Sequence, residues 1–422
     1  MIKEVLVDKC DLERYRSLSD SSYYEEIFEL EKDLKNVSVV HLNATASGGG
    51  VAEILTTLVP MLSCVGIKAR WYFIKKHEKF FDLTKELHNL LQGKKGDLTT
   101  NQKDFYLETN KEIAKEMKDL KPDVWVIHDP QPAATIGFLE DHGPAVWRCH
   151  VDTSKPNESV WKWFQPLLKP YDRYIFSMRR YIGEGLPYEK CRIIQPAIDP
   201  LNPKNINVDQ TFAKQIVRRF RIDTERPLIS QISRFDPWKD PWGVIDAYRI
   251  AKKKFPNLQL TLIGAFPLDD PEASKVMVDL KKYAGKDKDI HILSNLDGVQ
   301  ALEVNAFQRV SDIIIQKSTR EGFGLTVAEA MWKEKPVIGG KAGGIVEQIE
   351  DGVNGFLVTT AAETADRVIQ LLEDEKLAHR MGVKGKETVR KKFLLPRLLR
   401  DHLKLYKELL SNAPSSTRFG NV

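Results

Sequence analysis

Val37-Ser38-Val39-Val40-His41-Leu42 is a short apolar run rich in β-branched residues, and the segments after it decide the fold. The run passes into the polar, glycine-rich stretch 43–50, then into a helical pattern over 51–65 and a second strand-like run at 67–74. Strand, loop, helix and strand in that order make a right-handed β-α-β unit and a parallel sheet. Working outward, residues 123–128, 145–150, 173–177 and 191–195 repeat the strand pattern in the first half. Residues 228–233, 258–264, 290–293, 312–316 and 336–338 repeat it in the second, with helical segments such as 242–255 and 324–333 between them. Short continuous apolar runs bounded by turn chemistry suit strands buried on both faces. Residues 195–207 hold three prolines and three asparagines and read as a linker near the middle of the chain. The expected fold class is therefore α/β, with two doubly wound Rossmann-like domains facing a central cleft. One domain takes residues 1–200 and the other takes residues 201–396; residues 397–422 read as an amphipathic helix and a polar tail. In such sheets ligands lie beyond the carboxyl ends of the strands, so two sheets turned to one cleft would share one site. Residues 91–119, rich in Lys, Asp and Glu, read as a solvated insertion.

Composition narrows the function classes. A chain of 422 residues with 42% hydrophobic side chains can bury more than one core. Charged residues make up 29%, and there is no run of about 18 apolar residues that would span a membrane. Lys plus Arg number 64 and Asp plus Glu 59, a net charge of +5. That excess is small for the length and gives no concentrated basic face for nucleic acid. Disorder, collagen and small disulfide scaffolds are excluded by composition. The cysteines Cys10, Cys64, Cys149 and Cys191 form no C-x-x-C pair, which argues against a zinc knuckle or redox dithiol. Residues 1–20 are charged without an apolar core, so no signal peptide is expected, and the cytoplasm is the expected compartment.

Ser47-Gly48-Gly49-Gly50 lies between the first strand and its helix. Its N–H groups and the helix N-terminus can hold an anion, although the triplet alone equally suits a flexible turn. No Lys-Ser/Thr comes after it, so it is not a G-x-x-x-x-G-K-[ST] phosphate loop. Glu53 takes the third glycine position of G-x-G-x-x-G, which disfavours a nicotinamide dehydrogenase. In the second half, Ser233-Arg234-Phe235-Asp236-Pro237-Trp238-Lys239 leaves a strand and turns into a helix. The Arg234 fork and the Lys239 point charge suit a diphosphate there, where either alone would read as a solvated surface cation.

The most informative stretch is Glu321-Gly322-Phe323-Gly324-Leu325-Thr326-Val327-Ala328-Glu329. A strand ends before it, and a helix begins near Gly324. Free N–H groups of Leu325 and Thr326 would grip phosphate. A loop carboxylate at Glu321 could accept from sugar hydroxyls, and a helix carboxylate at Glu329 from a ribose diol. Two glutamates at this spacing carry no weight by themselves; their context does.

E-G-F-G-L-T-V-A-E-A resembles the signature of retaining nucleotide-sugar glycosyltransferases of the GT-B fold. The resemblance extends to Gly48–Gly50, to S-R-F-D-P-W-K and to Asp351-Gly352-Val353-Asn354-Gly355-Phe356-Leu357, over residues 37 to 400 or so. It implies that Arg234 and Lys239 hold the donor diphosphate and that Glu321 binds hydroxyls of the transferred glucose. Gly322, Phe323, Gly324, Leu325 and Thr326 would add donor contacts, Glu329 would hold the ribose, and Gly48, Gly49 and Gly50 would close over donor phosphate and acceptor. The loop at 294–299 would border the nucleobase. The final helix would return to the first domain, with Pro396 as a bend. No metal or other cofactor is implied, because cations and helix dipoles serve the phosphates.

Within that fold, V-H-L-N-A-T-A-S-G-G-G-V-A-E-I-L, H-D-P-Q-P-A-A, W-R-C-H-V-D and V-N-A-F-Q-R are similar to the trehalose glycosyltransferring synthases of archaea and thermophilic bacteria. The resemblance implies retaining transfer of glucose from ADP-, UDP- or GDP-glucose to free glucose, reversibly, by a homodimer whose partners are small sugars. Fungal-type trehalose phosphorylases share much of the pattern, and another retaining glucosyltransferase or a non-catalytic nucleotide-sugar sensor would also fit it. His128 and Asp129 end one strand and Arg148 and His150 another; with Gln131 and Asp152 they make an acceptor site of polar groups at neighbouring carboxyl ends. His150, Arg234, Lys239 and Glu321 are the expected catalytic set. For Trp147, Trp161 and Trp163 packing is favoured over sugar stacking.

Overall fold

The computed structural model describes residues 2–8, 10–47, 50–75, 78–264 and 271–411. The chain divides into two units, Met1–Pro196 with Leu395–Val422, and Ala197–Leu394.

The first unit carries a seven-stranded sheet, ordered β1-β3-β2-β4-β5-β6-β7. Its strands are β1 Ile2–Val5, β2 Ser38–Asn43, β3 Lys68–Ile74, β4 Val124–His128, β5 Ala145–Arg148, β6 Arg173–Phe176 and β7 Cys191–Ile193. All neighbours are parallel except β1, which runs antiparallel to β3 with Ile2 opposite Ile74. The sequence pattern does not announce this edge strand, because I-K-E-V is short and holds two charges. The central strands β4 and β5 are buried throughout, as their unbroken apolar sequences require. Trp125, Trp147 and Trp161 pack into the core, and Trp163 lies against it.

One expectation fails here. Residues 91–119 are not a solvated insertion: Thr100–Met117 is a helix opened by a Thr99–Gln102 capping box, with Tyr106, Ile113, Ala114 and Met117 buried. Its charged residues mark only the outer face of an amphipathic helix. Pro396 is a second departure. It occupies the first turn of the helix Leu395–Ser411, where a missing N–H costs nothing, so it starts the helix rather than bending it. That helix packs on Ser22–Leu34.

The second unit carries a six-stranded parallel sheet, ordered β10-β9-β8-β11-β12-β13. Its strands are β8 Leu228–Ile232, β9 Gln259–Gly264, β10 Ile290–Ser294, β11 Ile313–Gln316, β12 Val337–Gly340 and β13 Phe356–Val358. The Pro- and Asn-rich linker is fastened to this unit: Asn305 Nδ2 donates to the carbonyls of Pro203 and Ile206, each at 2.9 Å. In each sheet strand order reverses once, between β2 and β4 in the first unit and between β8 and β11 in the second. At such a reversal the connections leave in opposite directions and open a crevice at the carboxyl ends. Among the described residues no helix is long and apolar enough to cross a membrane.

Candidate active site

In the second unit, the reversal between β8 and β11 gathers the charged residues. Lys239 comes after β8 in a short turn whose N-cap, Asp236, accepts from Trp238 N. Glu321 comes after β11. Lys239 Nζ meets Glu321 Oε2 at 2.6 Å, with the two side chains 12% and 11% exposed. Gln316 Nε2 and Ser318 Oγ reach the same oxygen at 3.3 and 3.1 Å, and Gln231 Nε2 donates to Lys239 O at 2.7 Å. Two glutamines at the ends of otherwise apolar strands thus hold the ion pair in place. The neighbouring Lys317 is tied to Asp240, which takes a left-handed conformation at φ 47° and caps the next helix through Gly243 N. Arg234 is exposed and leans on Asp236, at 3.3 Å.

Gly324 stands at φ 86° and caps the helix Leu325–Trp332 without a side chain. The first-turn N–H groups of Leu325 and Thr326 are therefore available to an incoming anion. The loop before them is pressed against a second glycine segment after β12. A Cβ on Gly344 would stand 2.5 Å from Phe323 Cα, and Gly344 N donates to Gly322 O at 3.2 Å. Glu329, deeper in the helix, is buried. Its carboxylate meets Gln308 Nε2 at 3.4 Å and Lys204 Nζ at 3.8 Å. Lys333 Nζ donates to Asn205 Oδ1 at 2.9 Å and to Glu329 O at 3.0 Å. Burial lowers the Lys333 amine to about 7.

In the first unit, the carboxyl ends of β2, β4 and β5 gather a different set. His41 Nδ1 lies 3.1 Å from His128 Nε2, and His128 Nδ1 lies 3.3 Å from His150 Nε2. His150 N donates to Asp129 Oδ1 at 2.8 Å. Asp129 stands at φ 65°, a conformation that a short polar side chain tolerates better than most. Two donors hold that bend: Asp129 N reaches Arg148 O, and Trp147 Nε1 reaches Asp129 O. Desolvation pushes the Asp129 carboxyl up to about 7 and the Arg148 guanidinium down to about 9. It also drives the His128 and His150 rings well below their ordinary value, so both are neutral at pH 7. Arg148 Nη1 and Gln131 Oε1 are buried with no hydrogen-bond partner among the described residues. The helix Thr100–Met117 braces this loop, with Tyr106 Oη on Pro130 O at 2.6 Å and Asn110 Nδ2 on Gln131 O at 3.2 Å. Asp152 accepts from Ser154 N within its own turn.

Two known families match. One, described as "Trehalose synthase, N-terminal domain", covers residues 41–183, and the other, "Glycosyl transferases group 1", covers residues 213–388. The trehalose synthase of Pyrococcus horikoshii is 46% identical over 97% of this chain and 98% of its own. The chain belongs to the trehalose synthase family. It is accordingly a hexosyltransferase of the trehalose-related kind. The trehalose phosphorylase of Pleurotus pulmonarius is a more distant relative, 28% identical over 88% of this chain and 57% of its own. Among solved structures, the E. coli protein described as "Trehalose-6-phosphate … bound with UDP-2-fluoro glucose" has a TM-score of 0.70 at 13% identity, covering 88% of this chain and 99% of its own. The fold is GT-B, with a doubly wound sheet in each half.

In this member of the trehalose synthase family, the structure brings Lys239 to Glu321, and His128 to His150 with Asp129 and Arg148 about them. It does not bring Arg234 or Asp152 into hydrogen bonds with those groups. Gly48 and Gly49 lie outside the described residues; Gly50 opens the helix Gly50–Cys64. Sequence reasoning misses His41, Gln231, Gln308, Gln316, Lys204, Lys333 and Gly344. A usable signal existed for three: a lone polar residue inside or at the end of an apolar strand, as in V-V-H-L, L-I-S-Q-I and I-I-I-Q. Among the described residues no group of His, Cys, Asp and Glu is arranged to hold a metal ion.

Proposed function

We propose that the protein makes trehalose by retaining transfer of a glucosyl unit from a nucleoside-diphosphate glucose to free glucose, reversibly and without a required metal. The observation that carries this is the Lys239–Glu321 pair at the strand-order reversal of the second unit. A cation for the diphosphate and a carboxylate for the sugar hydroxyls stand together beside an uncapped helix N-terminus. In the proposed mechanism the second unit holds the donor. Arg234 and Lys239 take the diphosphate, Glu321 and the backbone of Gly322 to Thr326 take the glucose and phosphate, and Glu329 takes the ribose. The first unit supplies the acceptor groups: Gln131 and Arg148 each have a buried polar atom without a partner among the described residues, which glucose hydroxyls would satisfy. His128, Asp129, His150 and Asp152 complete that site, with His150 next to the reacting sugar.

The sugar–phosphate bond breaks through an oxocarbenium-like state. The departing phosphate oxygen takes the proton of the attacking hydroxyl on the same face, so the configuration is kept. The protein stabilises the phosphate and orients both sugars. The deciding experiment is product analysis with ADP-, UDP- and GDP-glucose, each with glucose. Release of nucleoside diphosphate together with α,α-linked disaccharide is expected. Release of no nucleotide with any sugar would leave only the sensor. Trehalose incubated with phosphate or with nucleoside diphosphate separates the phosphorylase: only the second should yield activated glucose.

A further inference from the structure

We propose that Tyr406 and His402, on the last helix, are positioning residues that fix which ring nitrogen of His150 carries the proton presented to the sugar. The proposal rests on His150 being the sugar-facing group of the proposed acceptor site.

The pair at 402 and 406 shares one face of the helix Leu395–Ser411, a face otherwise made of Leu395, Leu398, Leu399, Leu405 and Leu409. Two more apolar residues would pack there without the cost of burying polar groups. Instead His402 Nδ1 meets Tyr406 Oη at 3.1 Å, and Tyr406 Oη meets His41 Nε2 at 3.4 Å. His41 Nδ1 continues to His128 Nε2, and His128 Nδ1 to His150 Nε2. One unbroken row of polar contacts thus runs from the last helix through β2 and β4 to the segment after β5. His41, His128 and His402 are buried, and His150, at the end of the row, is half-buried.

Burial takes the His41 ring down to about 3 and the other three well below their ordinary value. The charged and titratable groups about the row are Arg148, Asp129 and Cys149 near its outer end, and Arg397 and Asp401 on the last helix. A neutral imidazole has one N–H and one lone pair, and a tyrosine has one O–H. Only two arrangements satisfy every contact and also give the Tyr406 hydroxyl proton an acceptor. In the first, His402 Nδ1–H donates to Tyr406, Tyr406 O–H to His41 Nε2, His41 Nδ1–H to His128 Nε2, and His128 Nδ1–H to His150 Nε2. His150 then offers Nδ1–H as a donor. In the second, every donor reverses and His150 offers a bare Nδ1. Tyr406 therefore determines the tautomer of a ring two histidines away.

The test is nitrogen-15 NMR of histidine side chains in the full-length protein and in Tyr406→Phe, with His150 assigned through His150→Gln. The parent should show His150 as a single tautomer, with Nδ1 protonated in the first arrangement and bare in the second. Tyr406→Phe, which keeps the ring and loses only the hydroxyl, should show a shifted or mixed tautomer. Its kcat should fall about tenfold or more, with KM for nucleotide-glucose unchanged; a wrong catalytic tautomer costs on the order of 10⁴-fold in a serine-protease triad. His402→Asn, whose amide can donate or accept at the Nδ1 position, should keep the parent tautomer, and His402→Leu should lose it; this pair decides the matter if Tyr406→Phe does not fold. A folded Tyr406→Phe or His402→Leu with unchanged His150 resonances overturns the proposal. A changed tautomer in a protein whose parent transfers no glucose upholds the row and overturns the functional reading instead.

Discussion

The candidate sites of the two units differ in their chemistry. In the second unit the groups are charged, paired and in touch with water: Lys239 faces Glu321, and Arg234 is exposed. In the first unit they are largely neutral and dry: rings driven far below their ordinary pKa, and a carboxyl raised to about 7. A diphosphate needs mobile countercharge, and a cation that keeps part of its hydration can give it. An uncharged sugar needs directional hydrogen bonds, which are strongest where water is excluded and most costly when left unmade. The difference in polarity thus stems from the difference between the proposed ligands.

The most severe way to break that comparison is Lys239→Ala. It should cost about 3 kcal/mol of transition-state stabilisation, by analogy with a lost oxyanion donor, read as kcat/KM for nucleotide-glucose. Near-normal turnover would remove the diphosphate from the second unit. Next comes Gly344→Ala. Its new Cβ would meet backbone atoms, Phe323 Cα at 2.5 Å and Phe323 O at 2.8 Å, so the Glu321 loop must move. A stability loss of about 1–3 kcal/mol is expected, with a raised KM for the donor and an unaltered KM for glucose. A variant as stable as the parent would show that the two glycine segments do not brace each other.

Smaller effects emerge as slopes against pH. Asp129 is raised from 3.8 to about 7, so between those values the native state holds a proton that the unfolded chain has released. Its contribution is complete below the unfolded value and is lost as pH rises through the folded one. Asp129→Asn should remove a stability decline of at most about 1.4 kcal/mol per pH unit in that window. Lys333 has the opposite sign. Its amine is lowered from 10.5 to about 7, so the unfolded chain binds more protons and stability rises with pH across that interval. Lys333→Met should flatten the rise. Thermal midpoints of parent and variant, taken from about pH 4 to about pH 10 to bracket both windows, check both; parallel curves would mean that neither group is dry.

Much of the second unit's candidate site is legible in sequence because its motifs are local. Glu321 to Thr326 and Ser233 to Lys239 each lie in one turn, next to the strand that presents them, so turn chemistry and the helix start suffice to place them. The groups that hold them there are not legible. Gln231 and Gln316 look like interruptions of apolar strands until β8 and β11 are seen to be neighbours. The first unit's candidate site is legible only at its rim. His128, Arg148 and His150 end strands and can be singled out, but His41 lies inside one, and Tyr406 is 365 residues away from it in sequence. The segment 91–119 misleads because its charges are dense, whereas its core-facing positions, Tyr106, Ile113 and Met117 among them, recur at helical spacing between those charges.

The sequence by itself determined the α/β class, the parallel order of strands and helices, and the family, since each depends on short-range periodicity and contiguous motifs. Only the tertiary structure decided which strands stand side by side, that an edge strand runs antiparallel, and that the last helix joins a row of buried histidines. Those facts depend on contacts between residues tens or hundreds of positions apart. The same buried contacts set the pKa values, because desolvation is a property of what surrounds a side chain in space and not of its neighbours along the chain.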